Sequence, residues 1–360
     1  MTMAVPPTSN SVSVPPSLAR VAELVEARLT TVLDEETDRW TAMTPDLEAP
    51  LDALRTLVMS GGKRLRPAFC YWGFVGAGGD PDDPVVIDAG AAFEFLQAFA
   101  LVHDDVMDGS STRRGFRTAH LAFGDRHQRE VWRGEQRRFG EGVAILIGDL
   151  AHVYADLMVR SAPQDVLQVW DELRIELNVG QYLDILGTAR GDIDPEAARR
   201  IARYKSGKYT IERPLHVGAA LTGRYAELEA PLSAYGDPLG EAFQLRDDIL
   251  GAFGESTLTG KPVGDDLREG KPTPLLAIAT QRADAEQSAT LARIGNDDLT
   301  EAEITAIQQV MLDTGAVSTI EDDIRRLTDG ALESIASAPV TDGAREALVD
   351  LAHFVAWRES

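Results

Sequence analysis

The sequence predicts one large all-α domain, a helix bundle around a central cavity. Apolar residues recur at three- and four-residue spacing over long segments, while the alternating pattern of half-buried strands is scarce. Glycine- and proline-rich punctuation falls where such helices must stop, at GAGGDPDDP (76–84), GDIDP (191–195) and TGKPVGDDLREGKPTP (259–274).

In chain order, residues 1–18 open with MTMAVPPTSNSVSVPPS, which has no basic stretch leading into an apolar one and reads as a disordered tail rather than a secretory signal. Residues 19–360 show no linker-like composition and read as a single domain. VAELVEARLTTVLDEETDRW (21–40) is an amphipathic helix. DAGAAFEFLQAFALVHDDVMD (88–108) contains FEFLQAFALV, apolar nearly all round, so it should be buried on every side and deliver its terminal carboxylates to the interior. The polar segment FGDRHQREVWRGEQRRFGE (123–141), with five arginines, reads as a solvated connection, and GVAILIGDLAHVYADLMVRSA (142–162) as the next helix.

Composition narrows the partners. The 360 residues are 44% hydrophobic and carry 58 acidic against 35 basic side chains, a net charge of −23. Such a chain does not coat nucleic acid or an anionic membrane, so an anionic substrate must be held by local basic clusters or bound cations. The single cysteine, Cys70, permits no intrachain disulfide and suits a core position in a reducing, cytoplasmic setting. Apolar runs such as VAILI (143–147) fall short of the roughly 20 residues that span a bilayer, so no stable membrane insertion is expected.

Two acidic clusters carry the chemistry. In HDDVMD, Asp104 and Asp108 are four apart on one helix face with Asp105 beside them, and like charges so placed call for a compensating cation. Hard oxygen ligands on a rigid helix suit Mg²⁺, which keeps several waters and shares its other positions with substrate phosphates. FQLRDDILGAFGE (243–255) begins a second cluster at Asp247 and Asp248, with Gln244 on the same side, but has Gly251 where a third carboxylate would complete it. Lys261, Asp265 and Asp266 come from the next loop, so Gly251→Asp is expected to leave turnover broadly intact. Basic residues accompany both clusters: Arg113 and Arg114 just after the first, Lys63, Arg64 and Arg66 in SGGKRLRP, Lys205 in RYKSGKYT, and Lys261 and Lys271 framing GKPVGDDLREGK. Guanidinium and metal can grip different oxygens of one diphosphate. SGGKRLRP is not a Walker loop, because the GxxxxGK[ST] spacing is absent.

The ordered series GGKRLRP, DDVMD, STRRG, GDL, YKS, FQLRDD and GKPVGDDLREGK, spread over about residues 55–280, resembles the trans-polyprenyl diphosphate synthases. That resemblance implies the type I isoprenoid synthase fold, a cytoplasmic homodimer, and Mg²⁺-dependent condensation of isopentenyl diphosphate with an allylic diphosphate (dimethylallyl, geranyl or farnesyl). It implies Mg²⁺ on Asp104, Asp108 and Asp247, with Asp105 and Asp248 beside them and Arg113 and Lys205 on the leaving diphosphate. Lys63, Arg66 and Arg114 would hold isopentenyl diphosphate, with Arg64, Gln97, Ser206, Gln244, Lys261 and Lys271 also contacting substrate. His103 is expected to be a hydrogen-bonding support. Three positions depart from the family pattern: Gln97 stands where histidine is common, Ser206 where threonine follows the lysine, and Arg117 where proline is frequent.

Residues four and five before the first aspartate, Ala100 and Phe99, are implied to floor the chain-length cavity, and a bulky residue followed by a small one resembles geranylgeranyl-type synthases. Farnesyl diphosphate synthase is the alternative product reading. Two other readings stay open: a terpene cyclase, whose NDxxSxxxE motif NDDLTEAEI (296–304) does not match in register, and a non-catalytic partner subunit, for which Gly251 speaks.

Overall fold

The computed structural model describes residues 13–190, 194–254, 264–296 and 298–358, the side chain of Asp265 excepted. Its helices are α1 (Pro16–Thr41), α2 (Glu48–Met59), α3 (Leu65–Gly76), α4 (Pro84–Asp108), α5 (Ala119–Arg129), α6 (Gln136–Val159), α7 (Gln164–Arg190), α8 (Pro195–Ala202), α9 (Arg213–Leu221) and α10 (Tyr225–Phe253). They continue as α11 (Asp265–Glu269), α12 (Pro274–Arg282), α13 (Ala285–Leu291), α14 (Glu301–Asp313), α15 (Ala316–Ser337) and α16 (Asp342–Trp357). A π-helical segment, Arg203–Glu212, joins α8 to α9. The strands among the described residues are β1 (Thr112–Arg113) and β2 (Phe116–Arg117), a small antiparallel hairpin pairing Thr112 with Arg117 and Arg113 with Phe116. The fold is the all-α bundle the sequence predicts.

α4 is the axis. Pro84 starts it with Asp83 as N-cap, whose side chain accepts from the Val85 amide at 2.9 Å, and Gly109, at φ 68°, ends it in the left-handed conformation. Phe93, Phe95 and Leu96 on three of its sides are wholly buried, so the apolar perimeter seen in sequence is matched by packing on α1, α3 and α6. α10 is shared between two cores. Leu228, Leu232, Tyr235 and Leu239 belong to one with α1–α9. Leu245, Ile249 and Phe253 belong to another with α12, α14 and α15. The carboxylates at the C-terminal ends of α4 and α10 are thereby fixed by burial of the helices that carry them.

Two boundaries differ from expectation. α1 begins at Pro16, a favoured first helical position, and Leu18 is buried in the core, so residues 16–18 belong to the domain rather than to a tail. The 123–141 segment is mostly helical, lying in α5 and the start of α6, because Phe123, Gly124 and His127 pack inward and supply a buried stripe that the arginines mask in sequence. α4 and α6 are both long and apolar enough to cross a membrane, which the short apolar runs did not suggest; α4 is enclosed by protein, whereas α6 leaves Ile145, Leu146, Val153 and Leu157 exposed.

Candidate active site

A cavity of about 960 Å³ opens between the ends of α4 and α10, with α7, α8 and the π-helical segment along its side. Asp104, Lys205, Asp184, Asp247, Asp248, Asp266 and Lys271 are on its wall together with Lys63, Arg66, Arg114 and Arg358. Gln97, Arg113, Ser206 and Gln244 line it as well.

At the α4 end, cations converge on Asp104 and Asp105. Asp104 accepts from Lys205 Nζ at 3.0 Å and Gln181 Nε2 at 2.9 Å on Oδ1, and Arg113 reaches its Oδ2 at 3.4 Å. Burial alone would raise the Asp104 carboxyl, but Lys205, Lys271 and Arg113 outweigh it and hold the group down at about 2. Arg113 Nε donates to Asp105 at 2.8 Å, and Asp105 is only 3% exposed. Asp108 is not on the cavity wall: its Oδ2 lies 3.3 Å from Lys271 Nζ, and burial and the neighbouring Asp104 push its carboxyl up.

Lys205 reaches this cluster because of backbone shape. Gly180 of α7 lies against the π-helical segment so closely that a Cβ there would sit 2.4 Å from the Lys205 amide nitrogen. The segment therefore nests on α7, and Lys205 Nζ spans Asp104 and Asp184, donating to the latter at 2.5 Å. Burial opposes its charge, but these two carboxylates raise its pKa and keep it an ammonium. Helical segments with i→i+5 bonding recur at functional sites.

The α10 end is differently built. Asp247 pairs with Arg358, whose guanidinium lies 4.3 Å over the Phe243 ring. Asp248 is 5% exposed; Gln244 Nε2 donates to its Oδ1 at 2.9 Å, and its Oδ2 is buried without a hydrogen-bond partner among the described residues. Burial first, then the charges of Asp266, Asp247 and Asp184, push its carboxyl up to about 8 against the Gln244 hydrogen bond. At Gly251, an added Cβ would lie 1.8 Å from Asp266 Oδ2 and 2.7 Å from its Cγ. The contact is with the far end of the Asp266 side chain, so a larger residue at 251 would require that carboxylate to shift.

The basic rim is held on strained loops. Gly61 and Gly62 have φ of 100° and 129°, a conformation that requires glycine, and a Cβ on Gly62 would come within 3.1 Å of Arg114 Nη2. Arg114, itself at φ 53°, donates to the Leu57 carbonyl at 2.8 Å. Arg66 stacks over Tyr209 at 4.3 Å and donates to Thr210 Oγ1 at 2.9 Å. Lys63 is lowered to about 8 by burial and by Arg358, with Asp247 partly opposing.

Several expectations are corrected. Arg64 lies on the cavity wall, but every nitrogen of its guanidinium is engaged, with Glu26, Glu94 and the Val58 carbonyl, and its side chain is wholly buried, so the guanidinium ties the loop to α1 and α4 and is not free for a diphosphate. Phe99 is not on the cavity wall, unlike Ala100: its ring stacks on His152 of α6, centroids 4.7 Å apart, and lies edge-on to His103. His103 accordingly turns to the Ile145 carbonyl at 3.1 Å rather than supporting Asp104. Arg117, uninterpreted from sequence, pairs with Asp125 in the middle of α5. Lys261 lies outside the described residues.

Sequence reasoning missed Gln181, Asp184 and Arg358. The first two had a signal: GQYLD (180–184) places two polar groups three apart on one face of a helix, beside a glycine. Arg358 had none.

Among the described residues no three carboxylates converge closely enough to hold a metal unaided. The donors nonetheless fit a hydrated divalent cation shared with a diphosphate, since all are hard oxygens and Asp248 Oδ2 is a buried acceptor with no partner on the cavity wall.

The polyprenyl synthetase family model matches residues 48–311. The chain is similar in structure to a geranylgeranyl pyrophosphate synthase from Corynebacterium glutamicum solved with isoprenyl diphosphate and magnesium, with a TM-score of 0.89 and 37% identity over 95% of this chain and 99% of that one. It is 31% identical to the geranylfarnesyl diphosphate synthase of Aeropyrum pernix over 82% of this chain and 89% of the relative. It is 30% identical to the octaprenyl diphosphate synthase of Escherichia coli over 84% of this chain and 88% of the relative.

Proposed function

Because the chain belongs to the polyprenyl synthetase family and is thus a prenyltransferase, a trans-polyprenyl diphosphate synthase, we propose that it condenses isopentenyl diphosphate with an allylic diphosphate, Mg²⁺-dependently, to give geranylgeranyl diphosphate. One observation carries this reading. Two acidic helix ends face one cavity, with Lys205 and Lys271 between them and a separate set of cations, Lys63, Arg66 and Arg114, on its rim.

The allylic diphosphate lies between the acidic ends, where Lys205 and Arg113 donate to its oxygens. As its C–O bond breaks, the electron pair leaves with the diphosphate, and donors fixed beforehand favour that charge over the ground state. Asp104, Asp108 and Asp247 would hold Mg²⁺, which would supply further positive charge to the leaving group. Lys205 and Arg358, now paired with Asp104 and Asp247, would then be free to face the diphosphates. Lys63, Arg66 and Arg114 orient isopentenyl diphosphate so that its double bond attacks the allylic carbon, and loss of a proton restores the alkene. The wall formed by Ala100, Leu101, Leu177, Ile201 and Phe243 keeps water from the cation.

The geranylgeranyl product is supported by the small Ala100 on the wall and by likeness to the Corynebacterium glutamicum synthase. A homodimer is supported by the apolar residues left exposed on α6 and α7, among them Leu146, Val153, Ile175 and Val179, and a cytoplasmic setting by the lone buried Cys70. Purified chain incubated with Mg²⁺, isopentenyl diphosphate and each allylic primer should form geranylgeranyl diphosphate by chromatography. No condensation with any primer would return the chain to the partner-subunit reading, and a farnesyl end product would revise the length.

A further inference from the structure

Glu94 is a buried carboxylate on the cavity wall that no step of the condensation uses. Glu94, Gln97, Leu101 and Asp104 are three and four apart along α4, so they share one face, and all four are on the wall. α4 thus turns two acids to the cavity: Asp104 near its C-terminal end, and Glu94 about 15 Å further back along the axis, among the cations of the rim. Glu94 pairs with Arg64. Burial lowers the Arg114 guanidinium, and of the charges acting on it that of Glu94 is the largest and holds it up. Glu94 acts also on Tyr209, the ring beneath Arg66. An acid is out of place in a site for anions, and Arg64 does not account for it, since Glu26 of α1 and the Val58 carbonyl of α2 already engage that guanidinium.

The condensation gives such an acid a task. The bond that forms joins the allylic carbon to an alkene carbon of isopentenyl diphosphate, and the bond that breaks releases the allylic diphosphate. The product therefore keeps the other diphosphate, still held by Lys63, Arg66 and Arg114. It must leave that rim before it can lie between the acidic helix ends for another round, or depart. We propose that Glu94 weakens the rim's hold on a diphosphate by like charge, so that the product's diphosphate leaves after each condensation. Substrate and product are loosened alike, and the chemical step loses nothing, because binding shared by ground state and transition state does not speed it. This role rests on reading Lys63, Arg66 and Arg114 as the isopentenyl diphosphate site, and it adds what limits their grip.

The full-length chain is compared with Glu94→Gln, Glu94→Asp and Glu26→Gln in calorimetric binding of isopentenyl diphosphate without metal. Single-turnover and steady-state condensation with farnesyl diphosphate, isopentenyl diphosphate and Mg²⁺ complete the set. Glu94→Gln should bind isopentenyl diphosphate about tenfold more tightly, as for one like charge removed from a partly buried site. Its single-turnover rate should stay within about threefold of the parent chain while kcat falls about tenfold, because product leaves slowly. Glu94→Asp keeps the charge and should stay within about threefold of the parent in every measurement. Glu26→Gln takes the half-exposed carboxylate from Arg64 and should change binding by less than about twofold. Because Glu94→Gln leaves Arg64 short of a partner, Arg64→Gln and Arg64→Gln/Glu94→Gln are measured too, and the double variant should bind about tenfold more tightly than Arg64→Gln. Weaker or unchanged binding in Glu94→Gln, equal tightening in Glu26→Gln, or equal binding in the two Arg64→Gln chains overturns the role and leaves Glu94 a support for Arg64. No binding of isopentenyl diphosphate by the parent chain overturns the reading of the rim beneath it.

Discussion

The two acidic clusters begin almost alike, DDVMD on α4 and DDILG on α10, yet their surroundings are opposite. At the α4 end, Lys205, Gln181 and Arg113 converge on Asp104, and its carboxyl is held down at about 2. At the α10 end, Asp248 is closed off from water beside other acids and pushed up to about 8, while Asp247 pairs with Arg358. A motif of aspartates therefore does not fix how many negative charges it presents; the helices packed around it decide that. Protein cations converge on Asp104 and Asp105 in the first cluster, whereas in the second they reach Asp247 but leave Asp248 among acids; among the described residues each cluster keeps one buried carboxylate oxygen without a hydrogen-bond partner, on Asp108 and on Asp248.

The largest effects should come from removing the charged member of each cluster. Asp104→Ala and Asp247→Ala should each lower kcat by about 10²- to 10³-fold, in steady-state assays with saturating substrates, as for loss of a group that acts on transition-state charge. If only Asp104→Ala is damaging, the second cluster is a solvated helix face and the comparison fails.

Next come the second aspartates, which separate the clusters most directly. Asp105→Asn removes the charged acceptor of Arg113, and a charge-assisted hydrogen bond of about 1.5–3 kcal/mol corresponds to a loss of roughly 10- to 100-fold in kcat. Asp248→Asn replaces a buried, Gln244-bonded carboxyl by a neutral isostere and should change kcat by no more than about fivefold, within the cost of one neutral hydrogen bond. Equal losses for the two would show that their surroundings do not distinguish them.

The rim senses the α10 end through Lys63. Its folded-state pKa, lowered to about 8, means that it is charged below that pH and loses its proton as pH rises through it. Apparent affinity for isopentenyl diphosphate should therefore be flat below pH 8 and fall by up to about tenfold per pH unit above it, because binding must then restore the proton. In Lys63→Arg this fall should vanish, since a guanidinium stays protonated throughout; persistence of the fall in KM would place its origin elsewhere.

The smallest effect concerns length. Ala100, one turn before Asp104 on the cavity wall, should shorten the product distribution when replaced by Phe, whereas Phe99→Ala, behind the wall against His152, should shift it less. A chromatographic product profile reversed between the two would restore Phe99 as the floor.

How much could be read in advance depended on the range of the interactions. The helical bundle, α4 as its buried axis, both acidic clusters, Arg113, Arg114 and Lys205 were legible because period and motif are local properties. Arg64 was misjudged because, among three neighbouring cations, sequence does not reveal which one turns inward; Glu94 and Glu26, which capture it, lie 30 and 38 residues away. Phe99 and His103 were misjudged because only the packing of α6 on α4 decides which way those rings face. Arg358 was invisible, meeting Asp247 across 111 residues, and the approach of the Asp266 side chain to Gly251 was equally hidden, because nothing in a linear chain shows what stands beside a missing side chain.

The π-helical segment Arg203–Glu212 makes this protein's tolerance of insertions and deletions unequal along the chain. Between α5 and α6, residues 130–135 form an exposed turn where an added residue would be absorbed by the surface. Within 203–212 a single deletion that restored ordinary helical winding would rotate α9 by about 100° relative to α8. Alignment gaps among descendants of this gene should thus gather in the first stretch and avoid the second, even where substitutions are accepted in both.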